Sequence, residues 1–297
     1  MSIIKRYTAF IYFATAVILL VAGLYILIFR FDIFGRLTDL LNEDCIRIPI
    51  LMYHHFADDK DNPGVVISAD MFESHIKALR DAGYTAISFE ELCGFVYDGA
   101  ALPEHPVIIT SDDGYTSVYE TAFPILQKYD TKATVFVIGV MYGEKLYKDT
   151  TYPIYPPHFG DAEALIMAGS GLLSIQSHSF DMHQIEAYET VPFRVGVLRL
   201  DSESEDEYIA AFKADFERSA AQIENITGAR PFVFSYPYGR STKLSERLLR
   251  DSGVKVTLTI KNGSSLVTRN SPESLFGLKR YTVSGNMTPK KLLAMIR

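Results

Sequence analysis

Tryptophan is absent from this 297-residue chain, and cysteine occurs only twice, as Cys45 and Cys93. Two thiols without metal-ligand spacing build neither a disulfide framework nor a zinc cluster, so cysteine sets no redox compartment. Cys93 falls in an apolar helical pattern and reads as a packed side chain. A basic excess is missing too: 29 Lys plus Arg stand against 36 Asp plus Glu, a net charge of −7. With no basic stripe to offset that deficit, the chain has no electrostatic footprint for nucleic acid. Internal repeats and low-complexity tracts are lacking. What remains, 48% hydrophobic and 22% charged residues, describes an ordinary globular protein with enough length for one sizeable core or two small ones.

The first feature present is a long apolar run. Residues 7–29 carry no charge and are rich in Ile, Leu, Val, Phe and Ala. At about 23 residues the run is long enough to span a bilayer with some tilt. A cleavable leader would be shorter and end in a small-residue site, whereas Arg30, Phe31 and Asp32 follow here directly. The run therefore reads as an uncleaved transmembrane anchor, with a buried core helix as the alternative. Lys5 and Arg6 precede it and Arg30 and Arg36 follow, so the positive-inside count is close to a tie. Because the bulk of the chain lies after the span, the expected arrangement is a single-pass cell-membrane protein with its folded domain extracytoplasmic. The expected division is an anchor over 1–30, a connector over 31–45 and one folded domain over 46–297.

Within that domain, strands alternate with helices. A strand over 48–53 ends on His54 and His55. Asp70, with Glu73 three residues on, is expected to cap a helix whose inner face is Phe72, Ile76 and Leu79. A strand over 85–88, a helix over 90–97 and a strand from Val107 follow. A helical stretch then runs towards Tyr129, interrupted at Pro124. A strand over 133–138 leads to a loop over 142–157 rich in tyrosine and proline. Next come a helix over 161–168, a strand over 172–176 and a long amphipathic helix over 204–226 with Phe212, Phe216 and Ile223 inward. Strands over 232–234 and 254–260 flank a helix over 243–251, and a short strand near Tyr281 precedes a last helix from Thr288. This alternation predicts an α/β fold with a mostly parallel sheet or barrel.

The organising stretch is residues 107–115, Val-Ile-Ile-Thr-Ser-Asp-Asp-Gly-Tyr. Its β-branched run favours a strand buried on both faces, and Gly114 permits a sharp exit at the tip. Neighbouring residues on a strand point to opposite faces, so Asp112 and Asp113 are suited to different tasks, one on a metal and one free to take a proton. Alone, Asp-Asp-Gly is equally a polar turn. Three other polar clusters also follow predicted strands: His54/His55, His178/His183, and the turn from Tyr236 to Gly239. In a parallel barrel such tips share one face, where active sites are built. His178 and His183 would diverge by roughly 140° on a helix and point oppositely on a strand, so they converge only if their segment is a loop. Two imidazoles and a carboxylate are a normal three-ligand set for a catalytic zinc with one position open.

Together these residues carry a resemblance. Thr110-Ser-Asp-Asp-Gly114, His178-Ser…His183 and Tyr236-Pro-Tyr-Gly239 resemble three ordered motifs of the polysaccharide deacetylases of the NodB-homology class, carbohydrate esterase family 4. The longer histidine spacing and the Tyr53-His54 strand end resemble the branch of the poly-N-acetylglucosamine deacetylases. The likeness covers residues 46–297 and implies a distorted (β/α) barrel of the deacetylase type, here preceded by the one transmembrane helix. It implies a hydrolase of linear amide C–N bonds that removes N-acetyl groups from an N-acetylglucosamine-containing polysaccharide and releases acetate. Asp113, His178 and His183 would hold the metal, usually Zn²⁺, although such a site also suits Co²⁺, Ni²⁺ or Fe²⁺. Asp112 would be the general base, His54 the general acid with His55 as its fallback, and the backbone N–H of Tyr238 would stabilise the tetrahedral oxyanion. Tyr115, Tyr236, Pro237 and Gly239 would line the substrate site, the tyrosines replacing the tryptophan this chain lacks as stacking surfaces.

The chain also departs from the family pattern. Ser111 stands where the family usually has Phe. Ser235 stands where the third motif usually begins with an Arg that steadies the catalytic aspartate, and Arg280 of the last strand is the candidate to supply that charge. The chain-end Leu-x-His that usually carries the acid is absent, which fits an acid moved to His54. A catalytically silent glycan-binding protein and a hydrolase of another amide are the alternatives on the same fold. A membrane scaffold for a partner protein is a third.

Overall fold

Short β-branched segments of residues 47–297 assemble into one all-parallel sheet in a computed structural model that describes residues 12–23, 44–58, 64–189 and 193–297. Its strands are β1 (Ile50–Tyr53), β2 (Thr85–Ala86), β3 (Pro106–Ser111), β4 (Ala133–Val137), β5 (Leu173–Ser177), β6 (Val233–Ser235), β7 (Val256–Leu258) and β8 (Tyr281–Thr282). They lie in the order β7-β6-β5-β4-β3-β1-β8, with β2 against the first residues of β3. The register sets Leu51 beside Ile109 and Val135 beside Ile175. The sheet curls far enough for its ends to meet through the segment before β8. There Leu258 bridges Leu278, and Thr259 N–H donates to Leu278 O at 2.9 Å. The predicted barrel is thus a curled parallel sheet stitched along one seam.

All six residues of β3 are buried, as expected of a central strand covered on both faces. The covering helices are α1 (Ala69–Asp81), α2 (Phe89–Tyr97), α3 (Phe123–Lys128), α4 (Asp161–Gly169), α5 (Glu205–Thr227), α6 (Lys243–Asp251) and α7 (Pro289–Ile296). Phe212, Phe216 and Ile223 of α5 are buried as its periodicity predicts. The start of α1 differs from expectation. Ser68 is the cap, its side chain accepting from Met71 N–H, and Asp70 lies inside the first turn. Serine in an extended conformation satisfies an otherwise orphaned N–H, while a carboxylate one turn in favours the helix dipole instead. Similarly, the strand expected over 85–88 stops at Ala86 because Ser88 is taken as the cap of α2, reciprocated by Glu91. The stretch after Tyr115 begins as a π-helical turn, Val118–Ala122, before α3 accommodates Pro124 in its first turn.

By contact density the chain divides into two units, Met1–Ile46 and Arg47–Arg297. In the first, residues 12–23 are helical. No helix among the described residues is long and apolar enough to cross a membrane. The remainder of the expected span, residues 7–11 and 24–29, and residues 31–43 of the expected connector over 31–45 lie outside the described residues.

Candidate active site

The carboxyl ends of β1, β3, β5 and β6 carry the four polar clusters, and the curl of the sheet turns them towards one another. At the tip of β3 the chain bends sharply: Asp113 and Gly114 both take left-handed conformations, with φ of 73° and 83°. A Cβ at Gly114 would lie 3.0 Å from Val137 Cγ1, so glycine lets this tip pack against β4. The bend separates the two carboxylates, sending Asp112 inward and Asp113 towards the histidines.

Asp112 is almost wholly buried and gripped by Arg280, which is fully buried. Arg280 Nη1 donates to Asp112 Oδ1 at 2.6 Å and Nη2 to Oδ2 at 2.7 Å, a bidentate pair. The guanidinium also donates to Ser235 Oγ at 2.9 Å, Thr110 Oγ1 at 3.3 Å and Thr259 O at 3.0 Å. It therefore ties β3, β6 and the end of β7 together inside the curl. Ser235 Oγ in turn donates to Asp112 Oδ2 at 3.3 Å. Arg280 reaches Asp112 from the segment just before β8, and the small Ser235 leaves the room that an arginine at its own position would fill. Burial alone would raise the Asp112 carboxyl, but Arg280 and then His178 outweigh it and hold it well below the usual carboxylate range.

Asp113, His178 and His183 place one donor atom each within 4.8 Å of one another. The Nε2 atoms of both histidines lie 3.6 Å from Asp113 Oδ1, too far for hydrogen bonds. Asp113 Oδ1 is buried without a hydrogen-bond partner. A buried carboxylate oxygen facing two imidazole nitrogens at that range fits one ion bonded to all three at roughly 2.0–2.2 Å. His178 Nδ1–H donates to Ser235 O at 2.7 Å, which fixes the tautomer and leaves the Nε2 lone pair directed at Asp113. Burial pushes the His178 imidazole down to about 4, so it is neutral at pH 7, the form a metal needs. Burial raises and the neighbouring histidines lower Asp113, with a net downward shift.

The other expected site residues are distributed unevenly. His54 follows β1, its carbonyl held by Ser111 Oγ–H at 3.0 Å and its Nδ1 buried without a partner. Ser111 thus anchors the backbone of His54. His55 is turned to Ser117, with 2.8 Å between Nδ1 and Oγ, and its ring meets Tyr115 edge-on at 5.1 Å. Tyr115 sits beside the metal-ligand set, its hydroxyl pKa raised by burial and by Asp113. Tyr238 has a φ of 56°. Its ring lies 4.3 Å from that of His183, and its hydroxyl donates to Gln184 O at 2.7 Å. Gly239 holds this turn against β7, since a Cβ there would come within 2.4 Å of Ile260 Cγ1.

Tyr236 is a correction. Its ring is fully buried against Phe234, with 5.3 Å between centroids, and belongs to the core under α5 and α6 rather than to a sugar-stacking surface. Pro237 is buried as well. Tyr236 N–H still donates to Leu258 O of β7 at 3.0 Å, so the motif's first tyrosine stays with the sheet and anchors the turn from inside.

Sequence reasoning missed His158, Tyr155 and Tyr188, which line a pocket with Asp113, Tyr115 and His183. His158 reaches the site because Thr116 N–H donates to Pro157 O at 2.8 Å, laying the loop along the β3 tip. Burial pushes its imidazole down to about 4. Tyr155 is 83% exposed at the pocket mouth. A roomier hollow lined by Lys132, Ser174, Gln176 and Arg230 holds none of these groups, so chemistry rather than volume marks the site.

A family model described as polysaccharide deacetylase matches residues 99–257, more than half of the chain. The chain belongs to the polysaccharide deacetylase family. YxkH of Bacillus subtilis (strain 168), provisionally named a polysaccharide deacetylase, is 28% identical over 242 residues, covering 82% of this chain and 73% of that protein. The poly-β-1,6-N-acetyl-D-glucosamine N-deacetylase of Escherichia coli (strain K12) is 23% identical over 265 residues, covering 83% of this chain. The chain spans only 38% of that enzyme's length. Among solved structures, the de-N-acetylase from Aggregatibacter actinomycetemcomitans superposes with a TM-score of 0.71 at 22% identity, covering 84% of this chain and all of that one. As a polysaccharide deacetylase this chain is a hydrolase, and its curled parallel sheet is that family's fold.

Proposed function

We propose that this deacetylase is metal-dependent and removes N-acetyl groups from an extracellular polysaccharide containing N-acetylglucosamine, releasing acetate. One observation carries the reading: a buried Asp112, held as a carboxylate by Arg280, stands beside a donor set, Asp113, His178 and His183, whose central oxygen has no hydrogen-bond partner. Asp112 takes a proton from the attacking water. Its depressed pKa makes it a weak base, so the water must already be acidified. Asp113, His178 and His183 would hold a divalent ion, Zn²⁺ or another transition metal such as Co²⁺, Ni²⁺ or Fe²⁺, which when bound would supply that acidity and a Lewis acid for the amide carbonyl.

The remaining roles fall to this chain's own groups. His54, beside both carboxylates, gives a proton to the departing amine. In the turn after β6, Gly239 N–H is committed to Tyr236 O and Arg240 N–H to Pro237 O. Tyr238 N–H is then the candidate donor to the oxyanion. Tyr115, the half-exposed Tyr238 and the exposed Tyr155 offer ring faces to sugar, in the place expected of Tyr236. The E. coli relative's substrate, a β-1,6-linked polymer, supports N-acetylglucosamine polymers as the substrate class. The uncharged run over 7–29 supports a membrane-anchored enzyme, and the bulk of the chain lying after it favours an extracytoplasmic catalytic domain.

The test is acetate release from N-acetylglucosamine oligomers by the full chain, stripped of metal and then supplied with Zn²⁺. Metal-dependent release that Asp112→Asn abolishes is the expected result. A folded, metal-loaded protein that binds the oligomers without releasing acetate would instead favour the silent glycan-binding reading.

A further inference from the structure

His178 and His183 are five positions apart in a segment that is neither helix nor strand, so something other than regular secondary structure must hold them convergent. Their ring centroids are 5.0 Å apart. Every backbone N–H from His178 to Met182 has an acceptor. His178 donates to Val137 O at 3.0 Å, Ser179 to Ser177 Oγ at 3.2 Å and Met182 to Ser179 Oγ at 3.1 Å. The two in the middle go elsewhere: Phe180 N–H donates to Asp215 Oδ1 at 2.9 Å and Asp181 N–H to Asp215 Oδ2 at 2.6 Å. Asp215 comes from α5, and it is the one charged residue among the four that accept these five bonds. On the same helix Ser219 Oγ lies 2.7 Å from Ser177 Oγ, at the foot of the segment.

We propose that Asp215 is a positioning residue for the metal site, setting the turn that brings His183 back to face Asp113 and His178. The proposal rests on the reading of Asp113, His178 and His183 as metal ligands. Two successive N–H groups aimed at one point form a concave backbone suited to an anion, and a neutral acceptor cannot serve both equally. His178 is held independently, by β5 and by its Nδ1–H bond to Ser235 O. His183 has no such second hold: its Nδ1 is buried without a partner. Losing the carboxylate would orphan two N–H groups, and the segment would rearrange to satisfy them. The residue free to move is therefore His183. Lys148 Nζ, 2.7 Å from Asp181 Oδ1, and Arg218, 3.9 Å over the Phe180 ring, hold side chains of the same two residues but leave their N–H groups untouched.

The experiment titrates Co²⁺ into the metal-free full chain by calorimetry, alongside thermal unfolding of the metal-free protein. Asp215→Asn preserves size and one acceptor but sets an NH₂ donor against a backbone donor; Asp215→Ala removes both acceptors. Both should bind Co²⁺ roughly 10–100-fold more weakly, as loss of an outer-shell partner does, whereas Lys213→Ala on the exposed side of α5 should not change affinity. Variants that lose thermal stability yet bind Co²⁺ like the wild type would overturn the proposal, leaving Asp215 a merely structural brace. Should both variants fail to fold, amide exchange in the wild-type, metal-free protein decides. Phe180 and Asp181 amides should be among the slowest, and exchange at exposed-loop rates would refute the role. Wild-type protein that binds no Co²⁺ while those two amides stay protected would instead overturn the metal reading itself.

Discussion

Arg280→Met is the most informative single perturbation of this chain. It replaces a fully buried guanidinium with an apolar side chain of similar length and leaves Asp112 in place. Five hydrogen bonds are lost, two of them the charge-assisted pair at 2.6 and 2.7 Å. Removing one partner of a buried pair strands the other charge, which costs about 3–5 kcal/mol. For a domain of this size that is a fall in Tm of roughly 6–20 °C, at about 2–4 °C per kcal/mol. The effect should depend on pH in a defined direction. In the wild type the Asp112 carboxyl is lower in the folded than in the unfolded chain, so its contribution is complete above the unfolded value near 4 and fades as pH falls below it. Without Arg280, burial raises the folded value above the unfolded one, and the uncompensated carboxylate is relieved by protonation as pH falls. The gap between wild type and variant should therefore be wide at pH 7 and narrow towards pH 4. Denaturant unfolding at both values measures it. A gap under about 1 kcal/mol at pH 7, or one of equal size at both pH values, would refute the buried-pair account.

Other outcomes follow from the same geometry. Exchanging the partners as Ser235→Arg with Arg280→Ser should recover part of the stability and acetate release that Arg280→Ser alone loses, because both positions reach Asp112. Gly239→Ala should destabilise the turn after β6 by about 1–3 kcal/mol, read by thermal unfolding, since a Cβ meets Ile260 and φ is 63°. Ser111→Ala should cost only about 0.5–1.5 kcal/mol of stability but lower turnover, because the carbonyl of His54 loses its anchor; unchanged turnover would detach His54 from the chemistry. Tyr155→Ala, at an exposed ring, should leave stability unchanged and raise KM for long N-acetylglucosamine oligomers more than for short ones.

The parts of this architecture that could be read from the chain are those in which neighbours in sequence are neighbours in space. Residues 107–115 announce a buried strand and a polar tip within one stretch, and the alternation of α5 shows its inner face. Arg280 and Asp112 stand 168 positions apart, and no local pattern links them. Only the vacancy at Ser235 hinted that a charge had to come from elsewhere. Tyr236 failed for the opposite reason: adjacency to the motif made it look exposed, while packing under α5 and α6 decided its place. Ser68 in place of Asp70 shows two capping residue types in competition, settled by where the backbone extends. His158 and Asp215 carry no local signal, because their partners are backbone groups and ligands supplied by distant loops.

The seam at Leu278 and the grip of Arg280 have a consequence for the order in which this protein is made. Chains emerge and begin to fold from the amino end, so His54, Asp112, Asp113, His178 and His183 are all synthesised before the arginine that neutralises Asp112. Until Arg280 arrives, a half-made chain would have to bury an uncompensated carboxylate to close its sheet. It would therefore stay open and inert, and the deacetylase site would come into being only once Arg280 has been made. A fragment cut to the family-matching residues 99–257 lacks both His54 and Arg280, and should behave as such an arrested nascent chain.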